Sequence, residues 1–339
     1  MQIPTSSPIV HPLVSRVMLL FLWFILSDLV HFASDCQAQK KVSICFGSAS
    51  SSLLPIALEQ GYFRAEGVEM ELRPFTSGKN ALQAMLDGKC DLATTAQTPV
   101  VHHSMIRRDF LIVANLSLSD DFEKIVVRTD RGILKGADLK GRRIALPEFT
   151  TQHYLLDTFL AYNGLKNTDV QRVYLHHNEV IKAFQRGEVD AVVHREPETT
   201  HLVEEFAGKA KIMPSPGLCV AIYALVGKRD FVQGNSATIA KVLRALVWAE
   251  EFAKKEPSRA KAIAAKTYNA DQAEIERIWS AHHFRVTLDQ PLLFLLENMA
   301  RWQIGLLPTA QRKPMPNYLD FLYLDALKSV KPEAVTIIH

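Results

Sequence analysis

Residues 42–75 read VSICFGSASSSLLPIALEQGYFRAEGVEMELRPF, and this stretch decides the fold that we predict for the chain. Residues 42–46 have the length and the apolar character of a buried strand. A serine-rich turn follows, and Leu54 and Leu58 then share one face of a helix that stops at Gly61. A strand, a tight turn and a helix in this order are typical of a parallel α/β sheet.

The turn at residues 47–52 brings hydroxyl groups to the start of this helix. Ser52 is a favourable N-cap, because its hydroxyl can accept a hydrogen bond from a backbone N–H of the first turn. Residues 62–63 and 68–72 are predicted to form the next strand and to complete a βαβ unit. Hydroxyls and free N–H groups at a helix N-terminus suit a small anion, although the same residues also suit a capped helix that binds nothing.

Two further strand-to-helix openings follow in the first part of the chain. Ser77 precedes a helix that ends at Gly88, and Thr98 followed by Pro99 precedes another. In a parallel sheet, such openings lie together at the carboxyl ends of the strands, where open α/β sheets bind their ligands.

A weak internal repeat indicates two lobes of similar build. The spacing of Ala84, Gly88 and Asp91 returns unchanged at Ala183, Gly187 and Asp190. In both places a helix ends at glycine and a strand begins with aspartate. This pattern is also common in α/β proteins that have no internal repeat.

Two segments are predicted to cross between the lobes. The polar residues 119–124 lead into the second lobe, and residues 221–226 return to the first. The predicted fold class is therefore two-lobed α/β with two hinge crossings, a cleft that can close and a helical C-terminal tail. Lobe 1 is expected to comprise residues 41–122 and 224–339, and lobe 2 residues 125–221.

Composition and the N-terminal residues indicate an exported protein. The 339 residues carry a formal charge of +3, which is too small to indicate nucleic acid as a partner. Arg16 precedes the apolar run 17–26, and small residues follow up to Ala38, which predicts a signal peptide over residues 1–38. An uncleaved anchor and lipidation at Cys36 are the alternatives.

Cysteine and histidine spacing does not predict a metal site, and no cofactor is expected. The cysteines of the exported chain, Cys45, Cys90 and Cys219, are predicted to be buried thiols, although export would permit one bridge. The paired histidines at 102–103, 176–177 and 282–283 are adjacent in sequence, and adjacent residues do not share a helix face.

The ordered set of these features resembles the periplasmic solute-binding proteins of ABC importers, in particular the group that binds nitrate, taurine, aliphatic sulfonates and pyrimidine precursors of thiamine. The resemblance is carried by residues 55–63 (PIALEQGYF), 67–69 (GVE), 88–91, 139–145 (LKGRRIA), 187–191 and 196–197. It implies a type II periplasmic-binding fold and a small-molecule solute between the lobes. It further implies a membrane permease as partner, a periplasmic monomer and no chemistry on the solute.

The resemblance also implies which residues contact the solute. In the first lobe these are Ser50, Ser51, Ser77, Thr95 and Gln97, and in the second Thr150, Thr151, His153, Arg195 and Glu196. Arg195 stands where many relatives carry an aromatic residue. Its guanidinium could bind a sulfonate or carboxylate through two hydrogen bonds, or pair with Glu196 or Glu198.

An enzyme on the same fold, either a desulfinase or a thiamine-pyrimidine synthase, is the alternative function. Cys45 would act as the nucleophile with His153 across the cleft as its base. Cys45 lies within the apolar strand, however, which favours buried packing.

Overall fold

The computed structural model describes residues 1–2 and 40–338, so the predicted signal peptide lies outside the described residues except for its first two. The strands are β1 (Lys40–Phe46), β2 (Val68–Pro74), β3 (Leu92–Ala96), β4 (Phe110–Ser119), β5 (Glu123–Arg128), β6 (Arg143–Leu146), β7 (Gln171–Tyr174), β8 (Ala191–Arg195), β9 (Ala210–Met213), β10 (Ala221–Lys228) and β11 (His283–Thr287). None of the described helices is both long and apolar enough to cross a bilayer.

The α-helices alternate with the strands and then form most of the C-terminal part. They are α1 (Leu53–Glu59), α2 (Tyr62–Ala65), α3 (Gly78–Leu86), α4 (Gln97–Ser104), α5 (Thr151–Tyr162), α6 (His177–Gln185), α7 (Glu198–Glu205), α8 (Arg229–Gly234), α9 (Ser236–Lys255), α10 (Pro257–Tyr268), α11 (Gln272–Ser280), α12 (Gln290–Leu306) and α13 (Asp325–Val330). The predicted helical C-terminal tail is confirmed by α9 to α12.

Two sheets form the centres of two lobes. The first has the strand order β11-β4-β10-β3-β1-β2, and the second has the order β7-β6-β8-β5-β9. Strand β1 pairs in parallel with β2 and β3, as the βαβ pattern predicts, whereas β10 is antiparallel to both of its neighbours. The two-lobed α/β fold class is thus confirmed. The exact lobe bounds stay a prediction.

The chain changes sheet where the polar segment was expected to cross. Strand β4 ends at Ser119 in the first sheet, and β5 begins at Glu123 in the second. The chain returns to the first sheet through β10, which begins at Ala221. Both crossing segments therefore border the space between the two sheets.

The internal repeat of the sequence corresponds to a repeated structure. The Asp91 carboxylate accepts the N–H of Ser43 in β1 at 2.8 Å, and the Asp190 carboxylate accepts the N–H of Arg143 in β6 at 2.9 Å. The two aspartates thereby hold the starts of β3 and β8 beside β1 and β6. Gly88 and the equivalent glycine of lobe 2 both end their helices with a positive φ.

Four local predictions are wrong. Thr98 and Pro99 do not precede their helix but lie inside α4, which begins at Gln97. The Ser52 hydroxyl does not cap α1 but donates to the carbonyl of Ala49 at 2.6 Å, because residues 49–51 form a tight 3₁₀ turn before the helix. Residues 62–63 belong to the short helix α2 instead of a strand. Cys45 and Cys90 are not free thiols. They form a disulfide with their Cα atoms 5.9 Å apart, because pairing of β1 with β3 brings them together, and only Cys219 is a free, buried thiol in residues 40–338.

Candidate functional site

A cavity of about 180 Å³ lies between the two sheets. A cavity of this volume suits a small solute. Its wall comes from both lobes and from both crossings: Ser48, Ser50, Ser51, Ser77, Gly78, Lys79, Asn80, Thr94, Thr95, Ala96, Pro99, Phe122, Glu123, Pro147, Glu148, Thr150, Thr151, Gln152, Leu175, His176, His177, Arg195 and Tyr223.

Four helices begin at this wall. Their N-cap residues are Ser77 for α3, Ala96 for α4, Thr150 for α5 and His176 for α6, and all four residues line the cavity. Two of these helices belong to each lobe. Since a helix N-terminus carries unpaired N–H groups and a partial positive charge, their convergence favours a negatively charged ligand.

The serine turn after β1 forms the hydroxyl-rich part of the wall. The Ser51 hydroxyl lies 2.7 Å from the Thr94 hydroxyl, and the Ser117 hydroxyl donates to the Ser50 carbonyl at 2.7 Å. Gly47 permits the turn, because a Cβ at this position would lie 2.0 Å from the carbonyl carbon of Ser77. The turn is therefore held firmly against the start of α3.

Two cationic side chains reach the cavity, one from each lobe, and each bridges the lobes. Lys79 Nζ donates to the carbonyl of Glu148 at 2.6 Å, and burial lowers the pKa of this ammonium group. Arg195 Nη2 donates to the carbonyl of Thr76 at 3.4 Å. Of the alternatives raised for Arg195, the ion pair with Glu198 is seen as a long contact, with 3.7 Å between Nε and Oε1.

Two acidic residues, Glu148 and Glu123, line the wall, and Glu123 lies buried at the start of β5. Its carboxylate accepts hydrogen bonds from Gln152 Nε2 at 2.6 Å and from the Tyr223 hydroxyl at 3.1 Å. Burial raises the pKa of Glu123 to about 7, against a smaller opposing effect of the Arg195 charge. The carboxyl group therefore changes its charge near neutral pH.

Most of the predicted contact residues lie at the cavity wall, and three do not. Those at the wall are Ser50, Ser51, Ser77, Thr95, Thr150, Thr151 and Arg195. Those elsewhere are Gln97, His153 and Glu196, although Glu196 lines a neighbouring cavity of about 420 Å³. Solute binding by the first seven stays a prediction.

Gln97 and His153 have structural partners that explain their positions. The Gln97 side chain donates to the carbonyl of Val220 at 2.7 Å and accepts the N–H of Ile222 at 2.8 Å, so it holds the return crossing. His153 is buried beside Tyr174, whose hydroxyl lies 3.2 Å from its Nε2. Burial lowers the pKa of His153 to about 3, which leaves it neutral.

Several wall residues were not predicted from the sequence. Lys79 follows Ser77 by two residues, so the helix-opening argument could have included it. Glu123 lies in the segment predicted to cross between the lobes, where a polar residue faces both halves. Tyr223 likewise lies in the predicted return crossing, residues 221–226. Gln152 gave no such signal, since its position depends on how the lobes face each other.

A sequence profile of the NMT1/THI5-like family matches residues 50–260, which is more than half of the chain. The chain belongs to the NMT1/THI5-like family. The matched residues include every predicted contact residue and both crossings.

Relatives of this NMT1/THI5-like chain include binding proteins. A taurine-binding periplasmic protein of Escherichia coli (strain K12) is 25% identical over 256 residues, which is 74% of this chain and 71% of that protein. Among solved structures, the alkanesulfonate-binding protein SsuA from Xanthomonas axonopodis pv. citri, bound to MOPS, has a TM-score of 0.73 at 21% identity. That match covers 84% of this chain and 98% of that one. These findings confirm the family resemblance and the periplasmic-binding fold.

The fold of the family also occurs in an enzyme. The desulfurization enzyme DSZB has a TM-score of 0.65 at 15% identity, over 86% of this chain and 99% of that one. At this identity the likeness shows the fold alone. In the NMT1/THI5-like chain described here, Cys45 is bonded to Cys90, and His153 lies away from the cavity wall.

Proposed function

We propose that this protein is the solute-binding component of an ABC importer and that it holds a small organic anion of the sulfonate class between its lobes. The observation that carries the proposal is the cavity at which four helix N-termini meet Lys79 and Arg195. A sulfonate presents three oxygens and can accept hydrogen bonds from several of these donors at once. The taurine-binding relative and the alkanesulfonate-binding structure support the same class.

Glu123 distinguishes a zwitterionic solute from a simple anion. Above its pKa of about 7, the ionised carboxylate attracts an ammonium group and repels an anion. Affinity for taurine should therefore rise between pH 6 and pH 8, relative to affinity for ethanesulfonate. Titrations of both compounds at the two pH values measure this difference.

The test of the proposal is a binding screen on protein freed of co-purified ligand. Taurine, ethanesulfonate, nitrate, small carboxylates and a thiamine pyrimidine precursor are compared by thermal shift, and the compounds that bind are then titrated by calorimetry. A solute at a hundredfold excess over its Kd stabilises the folded state by about 2.7 kcal/mol. The proposal is overturned if no sulfonate raises the melting temperature.

The variant Arg195→Gln tests whether the sulfonate binds in the cavity or non-specifically elsewhere. Loss of a charged hydrogen bond to the solute, worth about 1.5–3 kcal/mol, weakens affinity at least tenfold. Arg186→Gln is the matched control, since Arg186 lies in the same lobe, pairs with Glu188 and does not line the cavity. Equal affinity of the two variants would exclude the cavity as the binding site.

The remaining parts of the proposed function concern location, assembly and chemistry. We infer export through the signal peptide at residues 1–38, cleavage after Ala38, a monomer, and delivery to a membrane permease without chemical change of the solute. Mass spectrometry of a bound sulfonate after prolonged incubation tests the last point, because a desulfinase-like activity would release the sulfur group. Recovery of altered solute, lost in His153→Ala, would favour the enzyme instead.

A further inference from the structure

We propose that His177, His194 and Glu198 form a site for a divalent transition-metal ion of the zinc class at the cleft face of the second lobe. One ligand atom from each residue lies within 4.8 Å of the other two. Two imidazole nitrogens and one carboxylate oxygen are a ligand set that zinc and its first-row neighbours favour. The proposal goes beyond the binding of an organic solute and does not depend on it.

Each of the three side chains has a buried polar atom without a hydrogen-bond partner. Within residues 40–338, these atoms are His177 Nε2, His194 Nδ1 and Glu198 Oε2. Because an unsatisfied buried polar atom costs free energy, three of them together call for an explanation. A bound cation accounts for all three at once.

The backbone holds the three residues in fixed positions. His177 is the first residue of α6, His194 lies inside β8, and Glu198 is the first residue of α7. His194 is only 2% exposed, so its ring has little freedom. The two imidazole rings stack with their centroids 4.0 Å apart. Sites built on helices and strands in this way are well ordered before the ion arrives.

A hydrogen bond fixes the protonation of His194 in the form that a metal ligand requires. Its Nε2 lies 3.1 Å from the carbonyl oxygen of His177, and a carbonyl only accepts, so Nε2 carries the proton. Nδ1 is then the unprotonated nitrogen with a free lone pair. Metal-bound histidines commonly donate their other N–H to such a carbonyl.

Glu198 has one oxygen available beside its contact with Arg195. Only Oε1 approaches Arg195, at 3.7 Å from Nε, whereas Oε2 has no partner. Three protein ligands leave a fourth position of a tetrahedral ion open for water or for an oxygen of a solute. Since His177 also lines the cavity, an ion here would add positive charge to the cavity wall.

Adjacent histidine pairs could not reveal this site in the sequence. Metal binding by the pair 176–177 was discounted because neighbouring residues diverge, and the structure instead combines one member of that pair with residues 17 and 21 positions later. The proposal therefore replaces the expectation of no metal site.

The experiment uses the exported chain without an affinity tag, stripped with a chelator and dialysed. Zinc chloride is titrated by calorimetry, and cobalt chloride is titrated while absorption in the visible region reports its coordination. We expect one ion per chain. We expect His177→Gln and Glu198→Gln to weaken affinity at least about tenfold, because each removes one of three ligands. Both replacements conserve size, and circular dichroism confirms that the variants are folded.

The controls match each substitution chemically. His283→Gln removes an exposed imidazole, and Glu204→Gln removes an exposed carboxylate from the same helix as Glu198. Both should bind zinc as the unchanged protein does. The proposal is overturned if the unchanged protein binds less than one ion, or if His177→Gln and Glu198→Gln keep its affinity. Arg195→Gln should lose sulfonate affinity and retain zinc affinity, which distinguishes failure of this site from failure of the proposed function.

Discussion

Glu123 is a carboxyl group whose burial makes the stability of the protein depend on pH. Its pKa is about 7 in the folded protein, against 4.5 for the exposed group. Between these two values the folded protein holds a proton that the unfolded chain has released, so stability falls as pH rises. The loss is complete above pH 7 and amounts to about 3 kcal/mol for a shift of this size.

Replacing Glu123 by glutamine should remove this dependence, because an amide does not titrate. We expect Glu123→Gln to gain stability relative to the unchanged protein as pH rises. The difference in their free energies of unfolding (variant minus unchanged protein) should be about 3 kcal/mol larger at pH 8 than at pH 4.5. Urea unfolding at both pH values measures the difference. Glu148→Gln controls for a carboxylate at the same cavity wall. A relative stability that is equal at the two pH values would contradict the assignment.

Gly47 is a second residue whose replacement has a defined consequence. A Cβ there would lie 2.0 Å from the carbonyl carbon of Ser77 and 2.2 Å from the nitrogen of Gly78, both of which are backbone atoms. The serine turn and the start of α3 would have to separate. We expect Gly47→Ala to destabilise the fold by about 1–3 kcal/mol in urea unfolding.

Gly305→Ala is the matched control for this substitution. A Cβ at Gly305 meets no atom within 4 Å, and the residue lies inside α12. Alanine there should leave stability unchanged or raise it by up to about 1 kcal/mol, because alanine favours helix more than glycine does. If both variants lose the same stability, steric contact at Gly47 is not the cause.

At the scale of the element, the disulfide ties strand β1 to the start of β3. Cys45 and Cys90 are 45 residues apart, and the chain-entropy argument gives a bridge over such a loop about 4 kcal/mol of stabilisation. We expect the double variant Cys45→Ala, Cys90→Ala to lose about 2–4 kcal/mol in urea unfolding, and reduction of the unchanged protein to lose a similar amount.

Peptide mapping without reduction tests the bridge directly. A fragment joining Cys45 to Cys90 should be found, and Cys219 should be alkylated only after unfolding, because it is buried. Alkylation of Cys45, Cys90 and Cys219 together in the unfolded, unreduced protein would contradict the bridge.

Helices and strands with a clear periodicity of apolar residues could be predicted from the sequence. Elements that are defined by tertiary contacts could not. Strand β1 and helix α1 were located from their apolar patterns alone. Strand β11 was missed although HFRVT alternates polar and apolar residues, because it is only five residues long and its pairing with β4 defines it. Seven of the ten contact residues that the family resemblance implied lie at the cavity wall. His153 was misplaced because its side chain packs against Tyr174 instead of pointing into the cleft.

At the scale of the whole molecule, direct contacts join the lobes around the cavity. Lys79 donates to Glu148 near the serine turn, and Arg195 donates to Thr76. Farther out, the indole N–H of Trp302 in α12 donates to the Asp157 carboxylate in α5 at 2.9 Å. These contacts all connect the same two bodies, so they should form together when the cleft closes and break together when it opens.

Trp302 is the best residue for testing this closure, because it lies outside the cavity wall and its bond spans the lobes. Trp302→Phe keeps an aromatic ring but removes a hydrogen bond to a charged group, worth about 1.5–3 kcal/mol. If that bond exists only in the closed state, affinity for the best-binding sulfonate should fall about tenfold or more, chiefly through faster dissociation.

Arg301→Gln on the same helix is the control, since Arg301 is exposed and pairs within α12 with Glu297. Stopped-flow fluorescence measures the rates, and small-angle scattering of the ligand-free variant should show a larger radius of gyration. Unchanged dissociation together with an unchanged radius would mean that the Trp302 bond does not control the closing of the cleft.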